Sequence, residues 1–551
     1  MPGDRTASTP ARRLFARPRR RDGYATWLRG LALLALTSAC ARSVPAAELE
    51  ILAITTAATP VPRSTIGVVM VVVSHAPAPI AVTRTALTVE PEVEGTRVRE
   101  VDPFPVSLEP NATESLDFAV TLPAGYERLV VDGEISGILE GGSRVVTAAG
   151  ADSPLVIDYG DRGPGSTDLV VSASDDELDG GAGVSSVAAA GGSADLSLRE
   201  AVEIANARAG PDLILFDAGA FGETSPGVIV QDSAVGPFAV YDDGTVIDAT
   251  DRSVVIAPTQ NGGPVITVAA NEVEIRHLTV RGVYKAFTLT NAGNAVIADN
   301  SIHTQSSSTN VGAVMADNTP GLIVTGNYIG GSVVGIDVAN SDRGVIIIGN
   351  DIATGSYGLR LSHVTGASIT DNAFVSNDIA VIFSLTDHVR FEANRLSDTG
   401  NGCVRLERAS DANVIVGNRF ETCGDASGEA AIWIRETSRY NTVTHNSIAF
   451  GYGGSLRFDA GTQEGVAPPV IGSAAGGIVA GSSGAAVGSV VEVFAGGGEF
   501  PAVYLGSGTV DGDGNWSVTL APAPSSGSAV LATVTTPNGS TSTVSAPAVV
   551  P

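Results

Sequence analysis

The chain has 551 residues, 44 % of them apolar and only 5 % aromatic, with 65 glycines and a formal charge of -27. Its length calls for several domains, and low charge density with many Gly and β-branched residues suits an all-β repeat protein rather than a disordered one. Acidity on this scale excludes nucleic acid, or an anionic membrane surface, as a general partner.

In chain order, residues 1–47 read as an export signal. Arg12, Arg13, Arg19, Arg20 and Arg21 form a basic region, Leu31 to Leu36 a short apolar core, and small residues follow. The core is too short to span a bilayer permanently. Thr37-Ser38-Ala39-Cys40 resembles a lipoprotein processing site with Cys40 lipidated, although that pattern prefers Leu where Thr37 stands. Ala39-Cys40-Ala41 offers an ordinary signal-peptidase cut instead. Arg12-Arg13-Leu14-Phe15 resembles a twin-arginine signal, but it lies far from the apolar core. The expectation is an exported bacterial protein, either a cell-surface lipoprotein or a secreted one. Membrane contact is expected only through a lipid on Cys40.

Residues 48–157 alternate as strands at Ile66 to Ser74, Ile80 to Val89 and Leu129 to Ile138, with Pro-containing turns between them. A small β-sandwich of immunoglobulin-like type is expected, and residues 158–167, rich in Gly, Pro and Asp, form a linker. Strand Asp168 to Ala173 and a loop come next, then Ser197 to Ala207 with a capping box at Ser197 and Glu200. Leu198, Ala201, Val202 and Ala205 make one apolar face, and Gly210-Pro211 stops the helix. A helix over about 197–208 is expected to shield the first coil of a solenoid. Ser197-Leu198-Arg199-Glu200-Ala201 resembles the Cys-Ser-Leu-Arg-Glu-Ala motif that opens many exported bacterial β-helix proteins. Leu196 replaces the motif's Cys, and Ser185 falls where its partner Cys would be.

From Asn294 to Ile448 one phrase recurs seven times: apolar or β-branched residues, a small or polar residue, Asn, a free residue, then Ile, Leu or Phe. Val296 to Ile302 and Ile346 to Ile352 are two instances. Its Asn residues are Asn300, Asn327, Asn350, Asn372, Asn394, Asn418 and Asn446, in steps of 27, 23, 22, 22, 24 and 28. Such a period signals a solenoid. Apolar residues alternate with a period of two and no helical stripe survives, so each period is one coil of a parallel β-helix. Coils stacked roughly 4.8 Å apart place Asn upon Asn, in an internal ladder that satisfies buried turn groups. The repeat resembles the right-handed parallel β-helix proteins of the pectate-lyase-like superfamily over residues 168–465. The right hand follows from that resemblance.

Val466-Ala467-Pro468-Pro469 marks a boundary, and residues 466–551 are expected to form a second immunoglobulin-like sandwich module. Asp511 to Trp516 lacks a complete calcium loop and reads as a hairpin turn. Cys403 and Cys423 lie nearly one coil apart, so a disulfide is expected outside the cytoplasm.

Each coil carries a further strand whose parity is legible. Its outward positions stack as Met315, Asp337, Arg360, Ile382, Arg405, Trp433 and Arg457, and two residues further on as Ala339, Ser362, Ser384, Glu407, Arg435 and Asp459. Asp337, Arg360, Arg405, Glu407, Trp433, Arg435, Arg457 and Asp459 are the candidate binding strip, since Trp and Arg favour stacking on sugars or polymers. The alternative is a solvated face of cross-strand ion pairs. Residues 387–459 carry 8 Arg against 10 Asp and Glu, nearly neutral on an acidic molecule, so an anionic glycan can approach them. A lyase, epimerase or hydrolase of the same superfamily is the alternative reading; a lyase needs a base and a cation, a hydrolase paired carboxylates. The Asp-Asp and Gly-His-Gly signatures of polygalacturonases and the calcium-site patterns of pectate lyases are missing. Asp387-His388 resembles part of an alginate-epimerase motif without its Pro. No metal or other cofactor is expected, and calcium is not indicated by an intact motif. The favoured reading is a non-catalytic binder of polysaccharide or another cell-surface component. A structural adhesin or spacer is the third.

Overall fold

The computed structural model describes residues 49–551, apart chiefly from 56–64, 77–79, 91–98, 102–106, 109–112, 122–127, 140–144, 159–167, 177–195, 223–225, 306–310, 425–428 and a few further single positions and pairs. The expected export signal with Cys40, most of the expected linker and Ser185 lie outside the described residues. Two antiparallel sheets come first. Leu49–Thr55, Thr65–Ser74 and Thr113–Thr121 form one, and Ile80–Glu90 with Arg128–Leu139 centre the other. Gly133 of the second faces Met70 of the first, where a Cβ would lie 2.6 Å from the Met70 sulfur.

Three parallel sheets of 11, 10 and 10 strands build the solenoid among the described residues. One coil runs through Ile346–Ile348 of the first sheet, an Asn corner, Asp351–Thr354 of the second, and Tyr357–Ser362 of the third. Inward residues stack coil on coil. On the first sheet Ile297, Val324, Ile347, Ile369, Phe391 and Ile415 are in register, and all are fully buried. With β-branched and aromatic side chains on a pleated surface, the inward residues pack coil upon coil.

The Asn residues pile above one another as expected. Asn350 donates through Nδ2 to Val324 O (2.9 Å) and Ile348 O (3.1 Å), while its own Oδ1 accepts from the Asn327 amide side chain at 3.0 Å. The same pattern runs from Asn300 to Asn446, whose members are at most 4 % exposed. The residue before each Asn turns the corner at positive φ: Asp299, Gly326, Gly349, Asp371, Ala393, Gly417 and His445. Gly, Asp and His suit that left-handed geometry, and Ala393 alone lacks a polar or absent side chain to ease it.

A second ladder lies between the third and first sheets. Thr319 N–H donates to Ser341 Oγ, Thr386 N–H to Ser410 Oγ, and Ser410 N–H to Ser438 Oγ. Beside it run Asn413, Asn441 and Gln463, with Asn413 Nδ2 on Asn441 Oδ1 at 3.0 Å.

Both ends of the column are closed. At the start, helix Leu198–Ala207 is capped reciprocally by Ser197 and Glu200 and buries Leu198, Ala201, Val202 and Ala205 against the first coils. Arg199 is buried here; it pairs with Asp176 (2.5 Å), donates to Gly236 O and Pro237 O, and lies 4.8 Å from the Phe238 ring. This arginine staples the cap. At the far end the antiparallel strands of residues 470–549 dock on the last coil: Val443 N–H donates to Thr541 Oγ1, Ser447 Oγ to Ala502 O, and Phe450 packs against Phe500. Buried Glu492 accepts from Thr444 Oγ1 at 2.5 Å and pairs with His445 Nδ1 at 2.9 Å.

Candidate functional site: the outer face of the third sheet

Strand register brings the expected strip together. Met315 pairs with Asp337, Asp337 with Arg360, Arg360 with Ile382, Ile382 with Arg405, Arg405 with Trp433, and Trp433 with Arg457. Alternation on a pleated strand explains why all point outward once Val338, Leu361, Leu406 and Ile434 point in.

The strip divides in two. Arg360 grips Asp337 with two hydrogen bonds, Nε–Oδ1 at 2.9 Å and Nη2–Oδ2 at 2.5 Å. The bonds to Asp337 raise the Arg360 pKa above its usual value, against the opposing effect of burial. This bidentate pair is closed upon itself. Ile382, 7 % exposed, separates it from the remaining cluster.

That cluster is built around Trp433. The guanidinium carbons of Arg457, Arg435 and Arg405 lie 4.1, 4.3 and 5.6 Å from its ring centre, all within cation–π range. Its indole nitrogen donates to Asp459 Oδ1 at 2.9 Å. Arg405 is held by Glu429 at 2.6 Å, while Arg435 reaches Glu407 and Asp459 only at 3.7 Å. The Arg435 Nε is buried without a hydrogen-bond partner. Arg457 is exposed. Three cations therefore share one aromatic ring and an interleaved set of carboxylates. Glu429 was not legible in the sequence, because it arrives from the loop between the second and third sheets rather than from a strand.

That loop is anchored nearby. Cys403 and Cys423, both fully buried, are joined by a disulfide with Cα atoms 5.3 Å apart. Among the described residues no group of three or more His, Cys, Asp or Glu is placed to hold a metal ion.

Residues 312–484 match the family model of the right handed beta helix region. The solenoid is a right-handed parallel β-helix. Residues 227–396 also match the model of the periplasmic copper-binding protein NosD. Among solved structures the chain is similar to an alginate lyase from a Paenibacillus species (12 % identity, 54 % of this chain and 99 % of that one, TM-score 0.36). A Family 28 exopolygalacturonase from Yersinia enterocolitica matches with 9 % identity over 75 % of this chain and 96 % of that one, TM-score 0.34. The catalytic domain of an alpha-1,3-glucanase in complex with nigerose matches with 11 % identity over 75 % and 99 %, TM-score 0.20. No curated protein matches the sequence.

Proposed function

We propose that this is an exported β-helix protein that holds an anionic glycan on the outer face of its third sheet without transforming it. The observation that supports this reading is the cluster of Arg405, Arg435 and Arg457 around Trp433, an arginine-rich aromatic patch that Glu407, Glu429 and Asp459 bring near neutrality on a chain of charge -27. A glycan carboxylate or sulfate exchanges with Glu407 and Asp459 for the Arg435 guanidinium, whose contacts to both are long. The carboxylates here already engage Arg or Trp donors, an arrangement of surface pairs rather than a base poised beside an open pocket. The match to a family described as periplasmic supports export.

Affinity electrophoresis through gels containing polygalacturonate or alginate tests the reading. The wild-type chain is expected to be retarded, and Arg405→Ala with Trp433→Ala to migrate at least fivefold closer to the free position. Equal retardation of both proteins refutes the site.

A further inference from the structure

The second sheet carries an aromatic ring that the sequence reading passed over. Tyr328 points outward from strand Tyr328–Gly331 and is 41 % exposed, whereas Trp433 is only half-buried beneath its arginines. Its ring leans along the strand over Gly330: a Cβ there would lie 2.9 Å from the tyrosine hydroxyl and 3.0 Å from Cε1. Glycine at 330 thus leaves room for the ring, which any side chain there would meet. On one side His303 packs at 5.4 Å between ring centres, tilted by 46°, and is itself hydrogen-bonded to Ser301 at 3.0 Å. In register with Tyr328 stand Ser301 on the preceding coil and Asp351 on the next. Burial, and then the charge of Arg281, push the His303 pKa below its usual value.

We infer that this face is a separate carbohydrate-stacking site, centred on Tyr328, for an uncharged sugar ring. An exposed ring on a hydrogen-bonded sheet offers its π-face to the C–H face of a pyranose. Hydroxyl and carboxylate groups one coil away, at roughly 4.8 Å, match the sugar hydroxyls at its rim. A nucleobase would stack on the same ring, but its phosphates meet a chain of charge -27. The site differs from the third-sheet patch in chemistry as well as place: it has no arginine over the ring among the described contacts, so its binding is insensitive to salt.

The experiment is affinity electrophoresis of the full chain in gels of hydroxyethylcellulose, galactomannan and xylan, with and without added sodium chloride. Wild type is expected to be retarded by at least one glycan equally at both salt levels. Tyr328→Ala and Tyr328→Leu should lose at least fivefold in retardation and Tyr328→Phe less than twofold. Gly330→Val, which lifts the ring without removing it, should lose several-fold. Arg405→Ala with Trp433→Ala should remain retarded by the neutral glycan, which separates failure here from failure of the third-sheet reading. The inference is overturned if no neutral glycan retards the wild type, or if the leucine variant, with an unchanged melting temperature, is retarded like wild type.

Discussion

Asn350 donates to Asn372 twice, through Nδ2 at 2.9 Å and through its backbone N–H at 3.0 Å, both to the same Oδ1 oxygen. Asn372 in turn donates to Asn394, so each rung is both acceptor and donor in a fully buried chain.

A mid-ladder substitution therefore strands groups on two coils. Asn372→Ala takes the acceptor from the Asn350 backbone N–H and the Nδ2 donor from Ile347 O and Thr370 O, at about 1–3 kcal/mol for each unsatisfied buried group. Asn446, the last rung, accepts from Asn418 but has no further Asn above it. Asn446→Ala is expected to cost less than Asn372→Ala. Urea unfolding followed by circular dichroism measures both, and equal costs would contradict the ladder's cooperative role.

Asp242 sits beside Asp212 near the first coils. Burial first, then the charge of Asp212, raise its pKa from 3.8 to about 6. A carboxyl whose folded pKa is raised disfavours the folded state once it must ionise. The cost is absent below about pH 4, grows between 4 and 6, and is full above 6. Asp242→Asn is expected to raise stability above pH 6 by about 1 kcal/mol, discounted for partial exposure, and to change nothing below pH 4. Thermal melts at pH 3.5 and 7.5 check this; the reverse pH dependence would contradict it.

Glu492 is 2 % exposed and receives Thr444 and His445 across the junction between the β-helix and the C-terminal strands. Glu492→Ala removes the carboxylate that Thr444 and His445 share across the junction, so the module should loosen from the last coil. Faster proteolysis around Val466-Pro469, together with a separate calorimetric transition, is the expected result. A single unchanged transition would show that the junction does not depend on this carboxylate.

The column was legible because its determinants are local and periodic. Asn300 to Asn446 and the in–out parity of Asp337 or Arg405 recur at nearly fixed steps, and stacking preserves them. The Ser and Thr ladder through Ser341, Ser410 and Ser438 was missed, since hydroxyl residues at corners look like ordinary turn residues. Tyr328 was missed because what distinguishes it is the glycine beneath it and its exposure, neither of which a spacing reveals. Trp433 and the arginines around it were legible together, since Arg405 and Arg457 stand in its column on the neighbouring coils and Arg435 follows two residues on. The Arg405–Glu429 pair joins a strand to a loop 24 residues on, where no period constrains the position.

The central claim is that the third-sheet patch around Trp433 binds an acidic polysaccharide and leaves it intact. The direct measurement incubates the full chain with polygalacturonate and alginate, with and without calcium, and follows ultraviolet absorbance of unsaturated uronate products and release of reducing ends alongside gel retardation. Retardation that Trp433→Ala with Arg405→Ala abolishes, with no product from either protein, is the expected result. Product formed by the wild type and lost in that variant would make the patch an active site and contradict the claim.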